Sequence, residues 1–246
     1  MTASRAEVAD QYGEAMDLLV ELCKGDFGQR LTSIVLYGSA ALKDCIPDFS
    51  DLDVMLVIED HLRGPEDQDQ LESIKKRILE KTGVVIHESW VFGKSLLLSV
   101  PALWETLSAR TLYGERIIEE APLLDLGKRT SIKMMHDLRS CWERRSKILG
   151  LTEKAKIALN YTLKFAQNAL LYHDVARFRK AQIVEAFEKK FTKFPTRFAP
   201  RAAYENILRW KEIRDNPEAS NHIVKRYEMF SESLYWHIGL KTRFEA

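Results

Sequence analysis

Hydrophobic residues in the first half of the chain change their spacing repeatedly, and this alternation predicts helices interleaved with strands. From Ala6 to Cys23 they recur every three or four residues, which is the period of an amphipathic helix. The further predicted elements are strands over 34–37, 51–58 and 84–92, a helical turn over 40–43, helices over 70–82 and 101–112, and polar connections over 47–50 and 61–69. The order of these elements predicts a small α/β unit.

The second half of the chain has a different pattern, because strand signals disappear after about Leu126. Apolar residues there keep a helical spacing, and polar or proline-containing joints separate the segments. The predicted helices span 131–149, 152–172, 180–191, 200–214 and 217–238. We therefore predict two domains, an α/β domain over residues 1–125 and an all-α helical bundle over residues 126–246.

Charge separates the two halves further. Residues 1–125 contain 12 Lys and Arg against 23 Asp and Glu, a net charge of −11, whereas residues 126–246 contain 25 against 13, a net charge of +12. A basic half can provide a positively charged surface that attracts an anionic ligand. The alternative is that both halves have ordinary solvated surfaces whose net charges differ by accident.

Composition also indicates the compartment in which the protein is expected. The three cysteines are far apart in sequence and form no C-x-x-C motif, which predicts reduced thiols and no structural zinc site. No segment has the uncharged apolar length that a membrane span requires. The charged N-terminal residues are unlike a secretory signal. We therefore expect a cytoplasmic protein with no membrane association.

Two aspartates open the second predicted strand, with one residue between them. Alternate residues of a strand share a face, so Asp51 and Asp53 are expected to point the same way, while Leu52 points into a core. Two carboxylates this close repel each other and cannot both ionise cheaply without a cation. Mg²⁺ suits them because it binds few carboxylates together with phosphate oxygens. Two such ions can stabilise the attacking and leaving oxygens of a phosphoryl displacement.

A glycine-serine pair follows the first predicted strand, just before the predicted helical turn. Glycine lets the backbone approach a ligand closely, which favours Gly38 as part of a phosphate site. The Ser39 hydroxyl and the N–H groups at a helix start can hold terminal phosphates. The order of the strands predicts that this phosphate site lies beside the two aspartates.

The stretch from Leu36 to Ser39, followed after eleven residues by Asp51 to Val57, resembles the motif of the nucleotidyltransferase superfamily that includes DNA polymerase beta. Its small prokaryotic members and the aminoglycoside adenylyltransferases are the most similar. The resemblance implies a small mixed sheet, phosphate binding by Gly38 and Ser39, and metal binding by the two aspartates. It is close over 35–59 and extends to about residue 120, where 113–118 resembles a strand that follows the family's core.

The sequence departs from the family in the loop that joins the two halves of the motif. Ala41 to Lys43 replaces a usual arginine-glycine pair, and Phe49 resembles an insertion before Ser50. A second D-x-D sequence, Asp67 to Asp69, lies in a predicted polar connection without a strand, so we set it aside.

The family also has a third carboxylate on a later strand, which acts as a metal ligand or base. The resemblance implies that Glu88 fills this role on the predicted strand 84–92. An ordinary glutamate on the sheet surface is the alternative. His87 points to the opposite face of that strand, and the sequence leaves open which face meets the site.

The resemblance implies a metal-dependent enzyme that moves a nucleoside monophosphate from a nucleoside triphosphate, with ATP preferred, to an acceptor hydroxyl and releases pyrophosphate. Mg²⁺ is the expected ion and Mn²⁺ an alternative. A small molecule, a protein tyrosine and RNA all remain open as acceptors, and a homodimer remains open as an assembly.

The helical half loosely resembles the substrate-binding domains of this family. Its basic residues Arg179 and Lys180 are predicted to bind the triphosphate or an anionic acceptor, with a solvated helix end as the alternative. Two other functions remain open: an antitoxin-like module that partners a helical toxin, and an RNA-binding protein.

Overall fold

The computed structural model describes residues 5–59, 65–92, 109–116 and 128–239, which fall into two compact units. The first unit spans Met1–Leu124 and the second spans Asp125–Ala246. The predicted boundary between residues 125 and 126 lies outside the described residues.

The described part of the first unit contains three helices, four strands and one 3₁₀ turn. In chain order they are α1 (Arg5–Phe27), the 3₁₀ turn (Gly28–Arg30), β1 (Leu31–Leu36), α2 (Gly38–Ala41), β2 (Leu52–Ile58), α3 (Pro65–Thr82), β3 (Ile86–Phe92) and β4 (Arg110–Gly114). The strands form one sheet in the order β3-β2-β1-β4. Only β2 and β3 run parallel, so the predicted small mixed sheet is confirmed.

One face of the sheet carries the main core of this unit. Side chains of α1 and α3, such as Leu19 and Leu71, are fully buried against β1 and β2 residues, such as Leu36 and Leu56. Burial of this many aliphatic side chains is the main force that holds the helices on the sheet. The opposite face carries a smaller apolar cluster made of Val35, Tyr37, Met55 and Val57. The residues of β2 therefore alternate between a large core and a second, less covered face.

Two predicted elements of the first unit need correction. The connection expected over 61–69 is helical from Pro65 onward, because α3 begins there with Glu66 and Asp67 in its first turn. Asp67 is buried and pairs with Arg30 at 2.6 Å, which draws this turn onto the body of the unit.

The second correction concerns the helix predicted over 101–112. Residues 110–112 belong to β4, where backbone pairing with β1 overrides the helical spacing, while 101–108 lie outside the described residues. The strand expected over 113–118 is described only to residue 116, and its first two residues belong to β4.

The regular elements described in the second unit are all helices, which confirms the predicted helical fold of this half. The helices are α4 (Lys128–Arg145), α5 (Leu151–Tyr172), α6 (Lys180–Lys190), α7 (Ala199–Leu208), α8 (Trp210–Ile213) and α9 (Pro217–His237). The single helix predicted over 200–214 is broken at Arg209, whose φ of −105° and ψ of 15° leave the helical region. In the described parts of the chain, no helix combines the length and apolar character of a bilayer span.

Aromatic side chains form the centre of the second unit. Tyr227 of α9 packs edge-on against Trp142 of α4 and Tyr161 and Phe165 of α5. Such ring contacts contribute beyond their buried area. Asn216 caps α9 by accepting the N–H groups of two residues in its first turn.

Candidate active site

The two predicted metal-binding aspartates lie where β2 begins. Asp51 precedes the strand by one residue and Asp53 is its second residue. Leu52 and Val54 are fully buried in the helix-covered core. Since residues alternate along a strand, Asp53 belongs to the other face, and its side chain is 30% exposed. Burial of the intervening leucine thus holds the carboxylates at the surface of the unit.

The glycine of the predicted phosphate site lies directly against one of these carboxylates. The N–H of Tyr37 donates to the backbone carbonyl of Asp53 at 3.0 Å, which ties the end of β1 to β2. Gly38 then turns the chain with a φ of +66°, in the left-handed region that favours glycine. A β-carbon at this position would overlap the Asp53 carboxylate. The Gly38 turn and the carboxylate therefore share one confined space that no other residue type fits without movement.

Ser39 follows within α2, a single helical turn. Its carbonyl accepts the N–H of Asp44 at 2.8 Å, and its hydroxyl lies 3.8 Å from the Cys45 thiol. A helix of one turn has little dipole of its own, so an anion here would depend on local N–H groups and the hydroxyl. These contacts with Asp44 and Cys45 connect Ser39 to the loop that follows the turn.

The loop that leads to Asp51 is anchored by α1. The Tyr12 hydroxyl donates to the Ser50 carbonyl at 2.7 Å. Phe49, which resembled an insertion in the sequence, is 2% exposed and acts as an apolar anchor for the loop. These two contacts join the approach to β2 to the core of the unit.

The parallel pairing of β2 with β3 assigns the neighbour of Asp53. His87 lies opposite Asp53 in the strand register, and Glu88 lies opposite Val54, a residue of the helix-covered core. The Nδ1 atom of His87 is 3.5 Å from Oδ1 of Asp53, and the imidazole is 67% exposed. Because register decides which residues share a face, His87 is the β3 residue that lies beside Asp53. The role of Glu88 as the third carboxylate stays a prediction.

The two aspartates suit a metal ion whose remaining ligands come from water and the bound substrate. In the described portion of the protein, no group of three or more His, Cys, Asp or Glu side chains could hold a metal. Asp51 and Asp53 suit Mg²⁺, which usually keeps waters and takes one or two carboxylates plus phosphate oxygens. The close fit of Gly38 against Asp53 leaves no room there for a side chain at position 38.

The predicted cationic residues lie in the second unit. Arg179 precedes α6 and Lys180 is the first residue of that helix. Gln167 donates its amide to the carbonyl of Arg177 at 2.8 Å and so fixes the chain just before them. Cations are not favoured by a helix dipole at this end, so the helix itself does not account for their position. Their contact with a triphosphate stays a prediction.

The fold and this arrangement define the class. Residues 17–94 match the family model described as a nucleotidyltransferase domain, so the chain carries a nucleotidyltransferase domain and is an enzyme of that class. The matched residues include the Gly38 turn, both aspartates and His87. The resemblance inferred from the motif is thereby confirmed. A search of curated protein sequences finds no match.

One solved structure supports the fold. The chain is similar to spectinomycin adenyltransferase AAD(9) from Enterococcus faecialis, solved with ATP and spectinomycin, with a TM-score of 0.57 and 13% identity over 88% of this chain and 99% of that one. At this identity the likeness shows the fold alone. A toxin-antitoxin complex with AMP-PNP is less similar, with a TM-score of 0.32 and 14% identity over 54% of this chain and 94% of that one. That score is too low to carry an argument.

Two neighbours of the site were not singled out from the sequence. Tyr12 lies 38 residues before Ser50, and nothing in its local pattern separates it from the other apolar residues of α1. The sequence identifies Cys45 only as a reduced thiol. For His87, alternation along β3 leaves open which face meets Asp53, and the register with β2 selects the face of His87.

Proposed function

We propose that this protein transfers a nucleoside monophosphate from a nucleoside triphosphate, ATP by preference, to an acceptor hydroxyl. One observation carries the proposal: the left-handed turn at Gly38 packs against the carboxylate of Asp53, one residue removed from Asp51. A phosphate bound along that turn would lie next to the Asp53 carboxylate, with Asp51 two residues before it in the chain. This is the juxtaposition that transfer of a phosphate-bearing group requires.

Each residue has a defined task in this proposal. Asp51 and Asp53 would hold Mg²⁺, or Mn²⁺ in its place, and the ion when bound neutralises negative charge on the phosphate oxygens. The Gly38 backbone and the Ser39 hydroxyl would hold the terminal phosphates and orient the triphosphate. Arg179 and Lys180 are proposed as further contacts for an anionic substrate.

The transfer forms one bond to phosphorus and breaks one. The acceptor oxygen forms a bond to the α-phosphorus, and the bond from that phosphorus to the bridging oxygen breaks, so that pyrophosphate leaves. The acceptor proton goes to a base or to water, and Glu88 is the base that the family resemblance suggests. The acceptor is expected to be a small molecule, a protein tyrosine or an RNA end.

The decisive experiment removes the two carboxylates together. We expect the intact chain to bind a non-hydrolysable ATP analogue only when Mg²⁺ is present, as measured by calorimetry. It should also release pyrophosphate from labelled ATP when offered an acceptor. Asp51→Asn with Asp53→Asn should abolish both, because the amides carry no charge to hold the ion.

The matched control removes two exposed carboxylates elsewhere. Asp69→Asn with Asp137→Asn changes the net charge equally, and both side chains lie on helix surfaces. This control should behave as the wild type does. Transfer that persists in the Asp51 and Asp53 double variant, or disappears equally in the control, would defeat the proposal.

A panel of acceptors then separates the remaining possibilities. Each labelled triphosphate is incubated with aminoglycosides, with a tyrosine-containing protein fraction and with RNA, and the labelled product is identified by mass. Label on the chain itself would show self-modification.

A further inference from the structure

We propose that Tyr12 is a positioning residue, which holds the loop before Asp51 in the geometry that binds the metal and nucleotide. The inference rests on the proposed function, which supplies the roles of Asp51 and Ser39. Tyr12 is 7% exposed, and its hydroxyl donates to the Ser50 carbonyl at 2.7 Å. That carbonyl belongs to the peptide group that links Ser50 to Asp51. A hydrogen bond to it therefore acts one bond away from the backbone of a predicted metal ligand.

The loop before Asp51 is closed by hydrogen bonds between Ile46 and Ser50, so one anchor can hold all of it. The N–H of Ile46 donates to the Ser50 hydroxyl at 2.9 Å, and the N–H of Ser50 donates back to the Ile46 carbonyl at 2.9 Å. Asp48, within the turn, has a left-handed φ of +60°. On the far side, the N–H of Leu52 donates to the Val85 carbonyl at 2.8 Å. Asp51 thus lies between one fixed point in the sheet and a closed turn that Tyr12 holds.

The tyrosine also lies near the phosphate half of the site. Burial raises the pKa of Tyr12, and Cys45, Asp51 and Asp48 raise it further, in that order. The hydroxyl therefore remains a donor throughout the physiological range, and Cys45 packs against the core cluster that includes Tyr12. Cys45 in turn lies 3.8 Å from the Ser39 hydroxyl. One side chain from α1 thus borders the elements that carry both Ser39 and Asp51.

A purely structural tyrosine would behave differently from a positioning one. Tyr12→Phe keeps the ring and its packing and removes only the hydroxyl. If the ring alone matters, the loop and its ligands should be unchanged. If the hydrogen bond positions the loop, the loop should open more often and the metal ligand should be held less well.

The test uses two readouts that need no transfer reaction. Cys45 alkylation by iodoacetamide reports opening of the loop, with Cys141 of the second unit as the internal reference. Cys23 does not compete, because its side chain is fully buried and burial also raises the pKa of its thiol. Binding of Mn²⁺, measured by electron paramagnetic resonance, reports the metal ligands. Loss of one hydrogen bond predicts a roughly fivefold rise in Cys45 alkylation and a roughly fivefold fall in Mn²⁺ affinity for Tyr12→Phe.

Two further variants make the result specific. Tyr227→Phe removes the hydroxyl of a buried tyrosine in the second unit and should leave both readouts unchanged. Ser50→Ala breaks the closure of the loop itself and should move both readouts in the same direction as Tyr12→Phe. Where an acceptor is known, Tyr12→Phe should lower kcat more than it raises KM for the acceptor.

The outcomes separate this inference from the proposed function. Unchanged Cys45 alkylation in Tyr12→Phe overturns the inference, and so does an equal rise in Tyr227→Phe. A wild-type chain that binds neither Mn²⁺ nor ATP overturns the proposed function and, with it, the positioning of a metal ligand. A wild-type chain that binds both, together with a Tyr12→Phe variant that binds them equally well, overturns the inference alone.

Discussion

Substitution of Gly38 by alanine tests the core of the site, because the added methyl group meets a single identified side chain. At Gly38 the φ angle is +66°, and the new β-carbon would overlap Oδ2 of Asp53. The Cγ atom of the same carboxylate lies 3.2 Å away. Two costs follow: left-handed strain in the alanine, and a forced movement of the aspartate.

The structure offers a substitution that isolates the first cost. Gly28 has a similar φ of +54°, but nothing lies within 4 Å of the β-carbon that alanine would add. Gly28→Ala should therefore lose about 1–2 kcal/mol, the cost of a left-handed residue with a side chain. Gly38→Ala should lose about 1 kcal/mol more, because Asp53 must leave its preferred rotamer. A third variant, Gly38→Ala with Asp53→Ala, removes the overlapping carboxylate. In the Asp53→Ala background, Gly38→Ala should lose only as much stability as Gly28→Ala does.

Hydrogen exchange of the β1 and β2 amides measures these losses as opening free energies of the first unit. Calorimetry with Mg²⁺ and the ATP analogue measures function. Gly38→Ala should lose Mg²⁺-dependent binding while Gly28→Ala keeps it. Equal losses of stability in the two variants, with ATP-analogue binding retained in both, would mean that Asp53 moves at no cost and would refute this prediction.

Two further predictions concern histidines and their surroundings. Burial, and then Arg139, lower the pKa of His136 below its ordinary value of 6.5, so the folded second unit binds fewer protons than the unfolded chain. Its stability should fall as the pH decreases below about 6.5, and His136→Gln should flatten that dependence in urea titrations at several pH values. At the site, the His87 imidazole in its neutral form lies 3.5 Å from the Asp53 carboxylate and can orient it for the ion. His87→Gln should therefore weaken Mn²⁺ binding by roughly two- to fivefold, the loss expected for one such contact, while Glu88→Gln leaves it unchanged. A larger loss for Glu88→Gln would support Glu88 as the third ligand.

Long periodic segments of this chain could be predicted from the sequence because one local rule governs each of them. The extent of α5 and α9 follows from apolar residues that return to the same helical face, and both were predicted to within one residue at each end. Local rules failed where a distant partner decides the conformation. The start of α3 depends on the pairing of Asp67 with Arg30, and β4 depends on the exposed edge of β1. Neither partner is near in sequence.

The same distinction explains the candidate site. Alternation within one strand predicts that Asp51 and Asp53 share a face, and the motif identifies the glycine turn, which the structure brings against Asp53. The choice between His87 and Glu88 is different in kind, because a shift of β3 by one residue would exchange the two faces. That register depends on hydrogen bonds between strands more than thirty residues apart. The Tyr12 contact likewise exists only after α1 has packed on the sheet. Residues that orient a ligand rather than bind it are thus set by tertiary packing, and a sequence motif identifies the ligands without identifying what holds them.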